Sequence, residues 1–139
     1  MEEGKTKDLE ERLVLFAVSI SDLVKLIPPS TSGKYLEGQL IRSGFSPALN
    51  YGEAKSAESI NDFIHKMKIA LKELRETFIA LKILKKSKII QSGNLTETSI
   101  QECNELISIF VKSIQTAEKN RKDRMTGKVR CVKTSSSKV

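Results

Sequence analysis

Apolar residues recur three and four positions apart along most of this chain, and that spacing dictates helices. Leu9, Leu13, Phe16, Ile20, Val24 and Ile27 fall on one helical face, because 3.6 residues per turn brings such positions into a single stripe. Pro28-Pro29 ends that stripe: proline has no N–H to donate and restricts the residue before it. The spacing predicts a first helix from about Asp8 to Ile27, with Asp8 and Glu11 as a capping pair. A second follows the Ser30-Thr31-Ser32 cluster and runs to about Lys55, carrying Leu36, Leu40 and Leu49. It is rich in small residues (Ser43, Gly44, Ser46, Ala48, Gly52, Ala54) that let a neighbour approach closely, and Pro47 inside it predicts a kink.

The third helix is the clearest. It runs from about Glu58 to Lys86, with Phe63, Met67, Ala70, Leu74, Thr77, Phe78 and Leu81 inward. Gln91-Ser92-Gly93-Asn94 reads as a turn. A fourth helix runs from about Thr98 to Arg121, with Ile100, Cys103, Ile107, Phe110 and Ile114 inward. Thr98 with Gln101, or Ser99 with Glu102, would make its capping box. The 139 residues hold 7 Gly and 3 Pro, too few for an all-β chain of tight turns. Four long helices with short loops give an all-α fold, an antiparallel up-down four-helix bundle over residues 1–121.

Several classes of function are excluded. One histidine, His65, leaves no His-rich metal site and no Ser/His/Asp arrangement, and it reads as a surface residue. Cys103 and Cys131 form no CxxC and no disulfide framework, so structural zinc is not expected. Cys103 reads as a small buried hydrophobe and Cys131 as a free thiol in a polar tail, usage that fits a reducing interior. The start, MEEGKTKDLEE, is no secretory signal, and the longest apolar run, Leu13–Val18, is too short to span a bilayer. A cytoplasmic protein without cofactor, membrane association or enzyme activity is the expectation.

The net charge of +7 is unevenly placed. Residues 119–139 hold Lys119, Arg121, Lys122, Arg124, Lys128, Arg130, Lys133 and Lys138 against one acid, Asp123; the remainder is neutral on balance. Residues 122–139 read as a basic, disordered tail, since they have too little apolar surface to offset chain entropy. Such an arm attracts polyanions by counterion release; a solubility tail and a contact with an anionic membrane surface are the other readings. Within the third helix Lys68, Lys72, Arg75, Lys82 and Lys86 share one narrow strip about 27 Å long, with Ile79 in the gap. It is either a track for a phosphate backbone or a solvated face. Aromatics, at 5%, are too scarce for base stacking.

Two further features concern assembly and register. Val14, Leu15, Val18 and Leu26 lie off the first helix's main stripe, and Leu106, Ile109 and Val111 lie beside the fourth's. A bundle helix needs one apolar stripe, so the surplus predicts homo-oligomerisation or broad core faces. Arg42, Asn50, Glu53, Glu73 and Glu76 read as a polar network between the second and third helices, with Arg42 mid-helix in need of a carboxylate. A carboxylate metal site or acid–base pair is the alternative, but a helical Glu-x-x-His is missing.

Arg42-Ser43-Gly44-Phe45-Ser46-Pro47-Ala48-Leu49-Asn50-Tyr51-Gly52-Glu53-Ala54 resembles the helix-two signature of a four-helix-bundle family, that of proteins encoded in intervening sequences of bacterial large-subunit ribosomal RNA genes. Ser59, Asp62-Phe63, Lys66, Ile69, Lys72-Glu73, Glu76-Thr77 and Leu81 match its helix-three signature, and Glu102, Glu105-Leu106 and Ser113-Ile114 fit its last helix. The resemblance spans roughly residues 8–120. It implies a left-handed antiparallel bundle, a homopentamer and no enzyme activity. A related branch, the accessory proteins of diversity-generating retroelements, implies RNA or DNA and a reverse transcriptase as partners. A nucleic-acid-binding oligomer through the strip and tail is therefore the leading expectation, and a protein-interaction scaffold the alternative.

Overall fold

The structure, a computed structural model, describes residues 2–90 and 93–127, with side chains from residue 9 onward. Four helices follow one another: α1 (Glu2–Val24), α2 (Thr31–Lys55), α3 (Ile60–Ser87) and α4 (Leu95–Thr126). No strand occurs among the described residues.

Local chemistry fixes the helix ends. α1 stops at Val24, short of the expected Ile27, and tightens into a turn in which the Leu26 and Ile27 N–H groups donate to the Leu23 and Val24 carbonyls. The chain must leave the helix there because Ile27 precedes a proline. Ser30 caps α2, its Oγ accepting the Gly33 N–H at 2.9 Å, and α2 continues unbroken through Pro47. Ser59 caps α3 in the same way, accepting from the Asp62 N–H at 3.0 Å; Lys88, in the left-handed region, closes its other end.

α4 departs from expectation at both ends. It begins at Leu95, three residues before Thr98. Thr98 is already helical, and its hydroxyl donates back to the Leu95 carbonyl, so neither expected capping box forms. At the far end the helix runs through Arg121 to Thr126 and stops at Gly127, whose φ of 85° suits a residue without a Cβ. Lys119 pairs with Asp123 one turn on in this polar segment, an ion pair that adds about 0.2–0.5 kcal/mol to the helix. Arg121, Lys122 and Arg124 thus belong to a helix, against the disordered tail expected from residue 122. Lys128, Arg130 and Cys131 lie outside the described residues, as do Gln91 and Ser92 of the expected turn.

Each helix packs on two others, α1 and α3 both touching α2 and α4 while lying on the diagonal from each other. Leu13, Phe16, Ile20 and Leu23 of α1 meet Leu36 and Leu40 of α2, Met67, Leu74, Leu81 and Leu84 of α3, and Cys103, Leu106 and Phe110 of α4 in one core. Burying each large side chain contributes about 1.5–3 kcal/mol. Several inward assignments shift. Ile64, Ala80 and Leu84 are buried on α3, while Phe63 and Phe78 sit at the core's edge. On α4 Ile100 and Ile107 are also at the edge, and Leu106, expected beside the stripe, is central. Leu49 is 67% exposed, because α2 meets its neighbours through Ser43, Gly44 and Pro47 instead. The surplus apolar stripe therefore belongs to α1 and not to α4.

Candidate nucleic-acid interface

The outer face of α3 carries the five cations the spacing places together, but it is not a uniform basic strip. Lys68 Nζ pairs with Glu118 Oε2 of α4 at 2.9 Å, and Lys72 Nζ stands 3.7 Å from Glu76 Oε2. The Lys68 ammonium holds the Glu118 carboxyl below its ordinary range. Arg75, Lys82 and Lys86 are exposed and form no ion pair among the described residues. Lys82 Nζ sits 5.2 Å from the Phe78 ring centroid, within cation–π range. Ile79 and Ile83 interrupt the cations, 54% and 52% exposed. With Tyr35 and Leu36 of α2 and Leu71 of α3 they floor an open groove of about 660 Å³, rimmed by Lys68, Lys72, Arg75 and the carboxylate of Glu76.

At the C-terminal end of α3 the charge is denser. Lys82, Lys85, Lys86 and Lys88 converge on a cleft of about 470 Å³ floored by Phe78 and Ile100. Lys85 Nζ reaches Glu97 Oε1 at 2.5 Å and holds that carboxyl below its ordinary range. On α4, Arg121 reaches the start of α3. Arg121 Nη1 donates to Asn61 Oδ1 at 3.0 Å, and Lys122 and Arg124 are exposed.

The residues read as one polar network divide into three groups. Arg42 Nη1 and Nη2 donate to Glu73 Oε1 at 3.1 Å and Glu76 Oε1 at 2.9 Å, and Gln39 Nε2 donates to the same Glu76 oxygen at 3.2 Å. Glu53 pairs with Lys66 at 2.7 Å. Asn50 stays within α2, donating to the Ser46 carbonyl and hydroxyl. Arg42 is no buried charge: its side chain is 57% exposed and that of Glu73 only 12%, because the long arginine reaches outward over the seam. Among the described residues no three His, Cys, Asp or Glu side chains gather as metal ligands, and no helix is long and apolar enough to cross a membrane.

Sequence reasoning overlooked one stronger cluster. Arg12 of α1 donates to Glu102 Oε2 at 2.9 Å and Oε1 at 2.7 Å, and to Glu105 Oε1 at 2.8 Å. Hydrogen bonding to Glu102 raises the guanidinium pKa above its ordinary value. The signal was an arginine at the border of one apolar stripe and two glutamates, three apart, at the border of another.

An all-α bundle with its polar chemistry on outer helix faces is the class these observations define. The chain belongs to the 23S rRNA-intervening sequence protein family, which matches over residues 8–113. It is similar to a protein of unknown function from the S23 ribosomal protein family of Bacteroides thetaiotaomicron, known from a crystal structure at 1.70 Å resolution. The two share 31% identity and a TM-score of 0.69, over 76% of this chain and 97% of that one. No curated protein matches the chain.

Proposed function

We propose that this chain is a non-enzymatic, homo-oligomeric bundle of antiparallel up-down helices, working in the cytoplasm and binding nucleic acid electrostatically. The observation that carries the nucleic-acid reading is the convergence of Lys82, Lys85, Lys86 and Lys88 on one cleft, where Lys85 pairs with Glu97. Ammonium groups gathered at one helix end release counterions from a phosphate backbone without reading sequence. Lys122 and Arg124 extend the positive surface at the other end of the bundle, and the basic tail follows them in sequence. The opposite residue order of Arg42 with Glu73 and Glu53 with Lys66 supports the antiparallel arrangement. The exposed α1 apolar stripe supports self-association, and five is the subunit number the family resemblance implies. A nucleic-acid enzyme such as a reverse transcriptase is the protein partner such an accessory bundle would serve.

Binding of labelled RNA and DNA by the full chain across a salt series tests this. Affinity falls steeply with salt, and Lys82→Glu with Lys86→Glu lowers both affinity and the salt slope, by about one unit of slope per lost phosphate contact. Undetectable binding at low salt overturns the reading. The protein-interaction scaffold then takes its place, favoured by the apolar groove beside the cations, since isoleucines gain nothing from a phosphate backbone.

A further inference from the structure

Two outer faces of the bundle are complementary, and they belong to helices on opposite corners of it. On α1, Val14, Leu15 and Val18 are between 44% and 53% exposed, as is Leu26 in the turn beyond its end. At 100° per residue the three helical ones share one strip with Glu11 and Asp22, directly opposite the buried Leu13, Phe16 and Ile20. Glu11 and Asp22 are 11 residues apart, about 16 Å or three turns, with Leu15 and Val18 between them. On α3, Lys72 and Arg75 stand on one side of Ile79 and Ile83, with Lys82 and Lys86 beside and beyond them; Arg75 and Lys86 are again 11 residues apart. One helix thus reads acid–apolar–acid and the other cation–apolar–cation with the same repeat. In either direction carboxylates meet cations and aliphatic side chains meet aliphatic ones.

α1 and α3 occupy diagonal positions, so their outer faces point away from each other and one chain cannot close this contact on itself. We infer that the α1 strip of one copy seats in the α2/α3 groove of a second copy, on Tyr35, Ile79 and Ile83. This rests on the self-association proposed above and names the surfaces that carry it. Glu11 has no ion pair among the described residues, and the one given for Asp22 is a 3.8 Å approach to Lys25; both acids are free to turn to a neighbour. The two surfaces differ, so the contact is head-to-tail: every copy that docks keeps one strip or one groove open for the next. At one end Glu76 also lines the groove, 3.7 Å from Lys72, so Arg75 is the cation that meets an acid there; at the other end Lys82 and Lys86 stand against one acid and leave a cation outward for nucleic acid.

Leu15→Arg sets a cation against the groove's cations, and Ile79→Glu sets a carboxylate against the α1 acids; both positions are exposed, so the fold is retained, as circular dichroism and thermal unfolding verify. Light scattering of the nucleic-acid-free full chain reads the mass. The wild type is an oligomer, and each variant alone falls to the 15.5 kDa of one chain. Mixed, the two associate again, because each supplies the surface the other lacks and the two introduced charges are opposite. Variants that keep the wild-type mass, or a mixture that stays monomeric, overturn the pairing while the self-association reading stands. A monomeric wild type overturns both and assigns the groove to a foreign acidic amphipathic helix. Retention of RNA binding in the monomeric variants separates either result from the nucleic-acid reading.

Discussion

Thr77 Oγ1 and Ser43 Oγ lie 2.8 Å apart in the seam between α3 and α2, and neither side chain reaches solvent. Thr77 Oγ1 is also 2.8 Å from the Glu73 carbonyl, and Ser43 Oγ donates to the Gln39 carbonyl at 2.9 Å. Ser43 gives its proton to the Gln39 carbonyl, so the one Thr77 proton is shared between Ser43 Oγ and the Glu73 carbonyl. Thr77→Val removes that shared donor and costs about 0.5–1.5 kcal/mol. Thr77→Val with Ser43→Ala costs less than the sum of the single changes. Chemical denaturation of the four proteins in the cycle measures the coupling; additivity would show that the pair is not a unit.

A second seam depends on a missing side chain. A Cβ at Gly44 would come within 3.0 Å of Cγ1 and Cγ2 of Ile20, which is fully buried in α1. Gly44→Ala therefore separates α1 from α2, with a loss of about 1–3 kcal/mol despite alanine's better helix propensity. Ile20→Val in the same chain keeps both Cγ atoms and gives no relief, whereas Ile20→Ala removes them, so its combination with Gly44→Ala costs less than the sum of the single changes. A thermal unfolding series over wild type, single and double variants checks the order.

These seams show what the sequence alone makes legible. The apolar periodicity locates four helices, and Ser30 and Ser59 mark two of their starts, because both signals are local. The small-residue run in α2 correctly implies close approach, yet it does not say that Gly44 meets Ile20 while Ser43 meets Thr77. Leu49 goes astray because that run turns the buried face away from it. Ile83 escapes notice because an apolar residue on a basic helix looks like core until the neighbouring Tyr35 is placed. Arg12 escapes because its partners are 90 and 93 residues distant in the chain, and no periodicity within one helix encodes them.

Arg12 holds α1 to α4 through a bidentate contact with Glu102 and a further bond to Glu105. Its side chain and that of Glu102 are 25% and 32% exposed, so removing it strands partly desolvated carboxylates. Arg12→Ala costs about 1–2 kcal/mol, and Arg12→Lys recovers only part of this because an ammonium cannot match the planar fork. Arg42→Ala costs less, because the Arg42 side chain is 57% exposed and makes one bond to each carboxylate instead of a fork. Equal destabilisation by the two alanine variants, measured in urea, would contradict this ranking.

Acid weakens the α2/α3 seam through a defined group. The Arg42 guanidinium, with help from Gln39, holds the Glu76 carboxyl below its ordinary range. A carboxyl whose folded pKa lies below its unfolded value adds stability above the unfolded pKa and loses it as pH falls through the folded one. Stability of the wild type therefore declines as pH drops below the ordinary carboxylate range. Glu76→Gln is less stable at neutral pH and flatter in acid. Urea midpoints from pH 7 down to pH 3 test both statements.

Alkali acts on the core through Cys103. Its thiol is fully buried, Sγ lies 3.2 Å from the Leu74 carbonyl, and burial pushes its pKa up to about 12 from an ordinary 9.0. Because the folded pKa exceeds the unfolded one, the thiol's contribution is intact below pH 9 and is lost as pH climbs toward 12. The slope approaches about 1.4 kcal/mol per pH unit in that window, one proton's worth. Cys103→Ala loses core packing at pH 7 but shows a shallower alkaline decline, since it has no thiolate to form on unfolding. At pH 8 a thiol reagent modifies Cys103 only at the rate of opening. Rapid modification of Cys103 in the native protein, located by mass spectrometry, or parallel alkaline slopes for the two proteins, would place this thiol outside the packed interior.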